Sequence, residues 1–366
     1  MSDTQKATLA LTLLVESCTA ALNSLTSREG PDDHPSVDFP TLRTDFISIL
    51  SIIHAATTKI ALSLKPSSPT HKASLVPLKD ITNNVAALVH SIRLMRFREG
   101  VTIMKEYENL ARNVITAVQS LAQTLLVDGA SDSGEDYLVQ TGEVHETIDR
   151  ARKSGGLSLD NRDAVRRSWT SDHGSLVDAY EELQDICKAA DSSAEGDEDE
   201  DELGDGWDEL GFSSDKKLSA SELDRAQKVQ SLVKLVLLLH KRIIKDFFSS
   251  TERKLDNAIL DRFAELSAGL SELFDDFVSS MYAPHNEADI AQYLDALLVA
   301  LKELKTILLP IETRERSLEE RLESVSISQT SQTEKSDKWF ITCYEQLDKF
   351  ASKVSNTLQE TKKPHP

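Results

Sequence analysis

Between Asp191 and Glu209 the chain carries eleven carboxylates and not one Lys or Arg. Such a run repels itself and offers little apolar surface to bury, so it is expected to stay solvated and disordered rather than join a core. It lies between two long stretches of helical hydrophobic period, so a core has to form twice, once on each side. A length of 366 residues allows this. The predicted fold is all-α: two antiparallel up-and-down helical bundles, over 1–190 and 215–362, joined by a disordered acidic linker over 191–214.

The period supports that division along the whole chain. Leu11, Leu14, Cys18, Leu22 and Leu25 share one stripe of a first helix, which is favoured over a signal peptide because Glu16 closes the apolar run and Lys6 is the only cation before it. Asp38 caps a second helix with Pro40 in its first turn, and Phe46, Ile49, Ile53, Ile60 and Leu64 form its buried face. A third helix follows Pro77 and a fourth begins at Val101, the two being capable of running together through Gly100. Further helices cover about 137–153 and 160–190, split by Ser154-Gly155-Gly156. Past the acidic run, Ser219 and Glu222 form a capping box, with Leu218 and Leu223 placed to staple across it. That helix runs to about Phe248 and is apolar nearly all round near Leu235–Leu239, as a central bundle helix is. Two more stripes run from Leu255 to Met281 and from Ile290 to Leu308. Glu312–Glu323 reads as a solvated, charge-laced piece, Ser326–Ser336 as polar linker, and the last helix carries Phe340, Cys343, Leu347, Phe350, Val354 and Leu358.

The formal net charge is -20; removing the eleven charges of the acidic run leaves -9 on the helices. An acidic surface opposes phosphate binding, which depends on Lys and Arg displacing counterions, so nucleic acid is not expected as a direct ligand. Cys18, Cys187 and Cys343 are odd in number and far apart, which favours a reducing compartment over a disulfide framework. No apolar run is long enough for a membrane span.

The motifs of catalysis and metal binding are absent. None of the nine histidines has a carboxylate three or four residues before it. His145-Glu146 starts like a zincin motif but meets Asp149 where the second His belongs. There is no phosphate loop, no dinucleotide fingerprint and no nucleophile elbow, and Glu202 stands where a calcium loop needs Gly. No enzyme, cofactor or metal is therefore expected. Trp169, Trp339, His54, His90 and His240 read as packing residues.

Three features suit binding. Trp207, Leu210 and Phe212 form an apolar trio at the end of the acid run, and are the candidate partner-binding residues: carboxylates around them keep them available to a partner's groove. The competing reading folds them back as an anchor on the chain's own bundle. Arg150, Arg152, Lys153, Arg162, Arg166 and Arg167 form a basic cluster, read as a solvated face, as a site for acidic partners or as a holder of the acidic run. Ser133 and Ser192 precede acidic residues, a context that acidophilic kinases prefer.

The layout as a whole resembles the cyclin-D-binding protein family, also called Grap- and cyclin-D-interacting proteins. Asp160-Asn161-Arg162 opens a helix that holds Glu181-Glu182-Leu183, an acidic loop closes on Leu210-Gly211-Phe212, a helix ends in Ser280-Met281-Tyr282-Ala283-Pro284, and Trp339 opens the last helix. The resemblance implies helical bundles like those of vinculin and α-catenin. It also implies a non-enzymatic regulator of cell-cycle progression, in cytoplasm and nucleus, with D-type cyclin, adaptor or helix-loop-helix regulators as protein partners. The helix-loop-helix region of the family's vertebrate members has no counterpart found in this sequence. The alternative is a vinculin- or α-catenin-like structural linker or adaptor at the cytoskeleton or membrane.

Overall fold

The computed structural model of the chain describes residues 1–27, 37–96, 99–127, 136–192, 218–249, 255–309 and 332–360. Among the described residues there is no strand, and the all-α prediction holds. The helices are α1 (Asp3–Thr26), α2 (Phe39–Ser63), α3 (His71–Met95), α4 (Val101–Val127), α5 (Asp136–Arg152), α6 (Asn161–Ser192), α7 (Ala220–Ile243), α8 (Asn257–Ser279), α9 (Glu287–Leu308) and α10 (Gln332–Glu360). A π turn, Ile244–Phe248, continues α7. The acidic run from residue 193 on and its apolar trio Trp207, Leu210 and Phe212 lie outside the described residues, as do Ser133 and Glu312–Glu323.

The Asp38 cap and the Ser219–Glu222 capping box stand where the sequence predicted them, and three further helix starts are capped as well. Ser2 with Gln5 and Ser219 with Glu222 make capping boxes, while Asp38, Asp256 and Asn286 each accept a first-turn amide hydrogen. Pro77 does not open α3, which starts at His71 and carries the proline inside. The one backbone hydrogen bond that Pro77 removes is outweighed by packing, since Pro77, Leu78 and Ser74 are all buried. Nor do the third and fourth helices join: α3 stops at Met95 and Gly100 stands as the residue before α4. The last helix begins inside the expected polar linker, and Ser336 is buried against Asp246 at 3.3 Å.

Two compact units result, and they divide inside α6, between Ala164 and Val165. The expected boundary near residue 190 assigned all of α6 to the first bundle. Its apolar stripe Val165, Trp169, Leu176, Leu183 and Cys187 instead joins the core formed by α7 to α10.

In the first unit α3 lies between α1 and α2, α4 packs on α1, and α5 closes the ring by packing on α4 and α2. Phe46, Ile53, Leu88, Ile92, Tyr107 and Val144 fill its centre, the Phe46 and Tyr107 rings lying 5.2 Å apart. By length and composition α1 and α2 are apolar enough to cross a membrane. Leu11, Leu14 and Cys18 of α1, and Phe46, Leu50 and Ile53 of α2, are nevertheless buried in this core.

In the second unit α10 packs on α7 and α9, and α9 packs on α8. Ile290, Leu294, Leu297, Leu301, Leu304 and Leu308 of α9 are all buried. Together they contribute on the order of 10 kcal/mol, most of it offset by chain entropy. The π turn brings the consecutive rings of Phe247 and Phe248 onto Phe263, at 4.8 and 5.5 Å.

Candidate functional site

Two of the sequence features that carried the family resemblance, Glu182 and the turn Ser280–Pro284, meet at one end of the second unit. Glu182 of α6, the start of α7 and the α8–α9 turn come together there around a buried arginine. Arg225 lies on the same α7 stripe as Val229, Leu232, Val236, Leu239 and Ile243, so the helix carries it into the core; it is 2% exposed. Its Nη2 donates to Glu287 Oε1 at 2.8 Å, and its Nη1 faces His285 Nδ1 at 3.2 Å.

The partners of His285 fix its proton. Nε2 lies 2.9 Å from the Met281 carbonyl, which only accepts, so Nε2 carries the hydrogen. A guanidinium only donates, so Nδ1 must be unprotonated to accept from Arg225. His285 is therefore held neutral, and burial pushes its pKa below the usual imidazole value. The His285 amide donates to Glu222 Oε1 at 2.8 Å, while Glu222 Oε2 receives the amide and hydroxyl of Ser219 at 2.8 and 2.7 Å. Burial alone raises the Glu222 carboxyl, but the hydrogen bonds from His285 and Ser219 outweigh it and hold the pKa down at about 2. On the outer side Tyr282, 53% exposed, donates its hydroxyl to Glu182 at 2.7 Å. Met281 beside it is fully buried, and the Ala283–Pro284 bond is cis. This arrangement is a clasp: it joins α6, α7 and α9 through the turn, and it lies at the helix start that follows the acidic run.

A second polar chain crosses the core beneath it. Ser267 of α8 donates to Asp172 of α6 at 2.5 Å and lies 3.1 Å from His240 Nε2. With the hydroxyl hydrogen directed at the carboxylate, the imidazole donates and does not act as a base toward Ser267, the reverse of what an activated nucleophile needs. Ser267 and His240 are fully buried. The Trp169 indole stacks on His240 at 4.3 Å and donates to its carbonyl at 3.0 Å. Burial raises the Asp172 pKa and lowers those of His240 and His173. Among the described residues no group of three or more His, Cys, Asp or Glu is placed to hold a metal ion.

The basic cluster is partly neutralised within the chain. Arg150 pairs with Glu146 at 2.6 Å and Arg152 with Asp149 at 3.7 Å, around an open charged depression of about 500 Å³. Arg166 and Arg167 belong to the second unit by the division at Val165. Of the other packing residues, His54 stacks on His145 at 4.1 Å, and Arg242 lies over the Trp339 ring at 5.3 Å. Arg225, Asp172 and Ser267 were missed in the sequence, although each left a signal: a polar residue on an otherwise apolar helical stripe.

The family described as Grap2 and cyclin-D-interacting matches this chain twice in order, its N-terminal part at residues 45–189 and its C-terminal part at 203–306. The chain belongs to the Grap2 and cyclin-D-interacting protein family. It is also similar to a cyclin-D1-binding protein 1 homolog of Danio rerio, with 23% identity over 259 residues, 68% of this chain and 72% of that protein. In this family member, the turn Ser280–Pro284 and Glu182 belong to the clasp. Asp160 and Asn161 are both helix caps: Asp160 accepts the Asp163 amide at the start of its own helix, and Asn161 accepts the Ile103 amide at the start of α4.

Proposed function

We propose that this chain is a non-enzymatic regulator of cell-cycle progression that acts by occupying a D-type cyclin or a related regulatory partner. The observation that carries this reading is the ordered match of both halves of a cyclin-D-interacting family, across both helical units. The polar groups support it chemically: the clasp and the Asp172–Ser267–His240 chain hold helices together and present no substrate-facing nucleophile. Action by occupancy requires only an exposed surface, and it takes place in cytoplasm and nucleus.

Titration calorimetry of the full chain against purified D-type cyclin tests the reading. Binding is expected, and it should weaken by about tenfold when Trp207, Leu210 and Phe212 are all changed to Ala, the loss of a small apolar hot spot. Unchanged affinity in that variant moves the docking site onto a helix face, and no binding by the unaltered chain ends the cyclin reading. Actin co-sedimentation separates the structural-linker alternative, since a cyclin-directed regulator stays in the supernatant.

A further inference from the structure

One face of α7 is basic in a chain whose net charge is -20. Lys234, Leu238 and Lys241, followed by Lys245 in the π turn, recur at steps of four, three and four, so they share one side of the helix. All four are exposed, Leu238 at 47%. The neighbouring cations are already paired: Lys228 with Asp224 at 2.6 Å and Arg242 with Asp246 at 2.5 Å. Among the described residues no carboxylate pairs with Lys234, Lys241 or Lys245. Exposed like charges on one face repel one another and are stabilising only when an anion meets them.

The stripe has walls. On one side α6 borders it, with Lys241 near enough to His173 to lower that imidazole's pKa after burial has done so. The α6–α7 seam continues it as a depression of about 390 Å³ that includes Gln184, Gln227 and Ser231. On the other side α10 presents Trp339 beneath Arg242, with the half-buried Phe350 on the same helix. The result is a narrow lysine strip with apolar patches, running along a helix.

We propose that this strip on α7 is a docking site for an acidic segment of a partner protein that bears an apolar residue at each turn. Charge complementarity selects the acid, and Leu238 selects the apolar residue between the lysines. Width selects a segment over a membrane. The adjoining α6 exposes Asp178, Glu181 and Asp185, which a flat anionic bilayer would meet and a single strand or helix lying along α7 avoids. This inference rests on reading the chain as an interaction protein and deepens it by naming a surface and the chemistry of its partner.

The test is fluorescence anisotropy of the full chain with a labelled glutamate peptide carrying leucine at every fourth position. Binding that weakens with added salt is expected. The triple variant Lys234→Glu, Lys241→Glu, Lys245→Glu should lose about tenfold or more in affinity, and Leu238→Ser several-fold. The control pair Lys302→Glu, Lys349→Glu, on α9 and α10, should bind like the unaltered chain. Equal binding by the triple variant overturns the proposal. So does capture of phosphatidylserine vesicles with no peptide binding, which makes the strip a lipid site. Peptide binding that appears only after the carboxylates of 195–209 are changed to amides also overturns it, because the chain's own acidic run then occupies the strip. D-type cyclin binding is measured separately on the same variants, so either reading can fail while the other stands.

Discussion

Replacing Gly100 by Ala should cost the first unit about 2 kcal/mol although it adds a single methyl group. Gly100 precedes α4 and its carbonyl accepts the Met104 amide at 3.2 Å, the first bond of that helix. A glycine has no side chain to cap the helix, and Asn161 supplies the missing acceptor: its Oδ1 takes the Ile103 amide at 3.0 Å, the bond a capping residue at position 100 would make. A Cβ on Gly100 would stand 1.9 Å from Asn161 Nδ2 and 2.3 Å from its Cγ. Asn161 is buried at the start of α6, so its amide group has to leave. Losing the cap costs about 1 kcal/mol, and a buried amide left without its partners about 1–3 kcal/mol more. Against this, Ala in place of Gly restricts the unfolded chain and returns about 0.5–1 kcal/mol. Urea unfolding followed by far-UV circular dichroism measures the net loss, with hydrogen exchange of the α4 first-turn amides assigning the transition that moves. Asn161→Ala alone should cost a similar amount. The double variant should be no less stable than Asn161→Ala, because the clash disappears with the side chain, giving a coupling near 2 kcal/mol. Additive losses would refute the borrowed cap.

Further outcomes follow from the buried histidines, from Arg225 and from α6. His145, His173, His240 and His285 all have folded pKa values depressed below the usual imidazole value of 6.5, each chiefly by burial. Their contribution to stability is therefore complete above 6.5 and is lost as pH falls through the folded values, so the urea midpoint should drop between pH 7.5 and pH 5. His285→Gln, whose amide can donate to Met281 and accept from Arg225, should keep neutral-pH stability and soften that drop. Arg225→Met should destabilise the second unit by about 2–3 kcal/mol, at the low end for a broken buried pair because Glu287 retains 29% exposure, with Arg225→Lys in between on a thermal melt. A fragment of residues 1–164 should be better behaved in light scattering than one of 1–190, which leaves the apolar stripe of α6 without its core.

Helix type and most buried stripes were legible in the sequence because apolar spacing is a local property. The α9 stripe and the Ser219–Glu222 box are where they were expected. Pairing between helices was less legible. The stripe of α6 is equally compatible with either bundle by period; Trp169 against His240 and Asp172 against Ser267 decide the matter, and those pairs lie 71 and 95 residues apart. Pro77 misled because its cost was weighed without the burial that offsets it. The clasp went unseen for the same reason: Arg225 reads as one cation among many until Glu287 and His285 are brought beside it by a turn sixty residues later. The candidate partner-binding residues Trp207, Leu210 and Phe212 lie outside the described residues and remain a proposal.

The polar fasteners account for a fold that leucine stripes alone would leave ambiguous. Apolar ridges on the ten described helices are nearly interchangeable, since Leu against Leu stabilises many registers about equally. A buried Arg225, a borrowed Asn161 cap or a Ser267 hydroxyl has partners in only one arrangement, and every other arrangement leaves a desolvated polar group unpaired. These interior groups specify which helix meets which, since Arg225, Asn161 and Ser267 each bond across to a different helix. The docking strip proposed above uses the outside of the helices instead, where Lys234, Leu238, Lys241 and Lys245 are exposed. Mutations that disturb folding and mutations that disturb binding should accordingly fall on different faces of the same helix, Arg225 on one side of α7 and the lysine strip on the other.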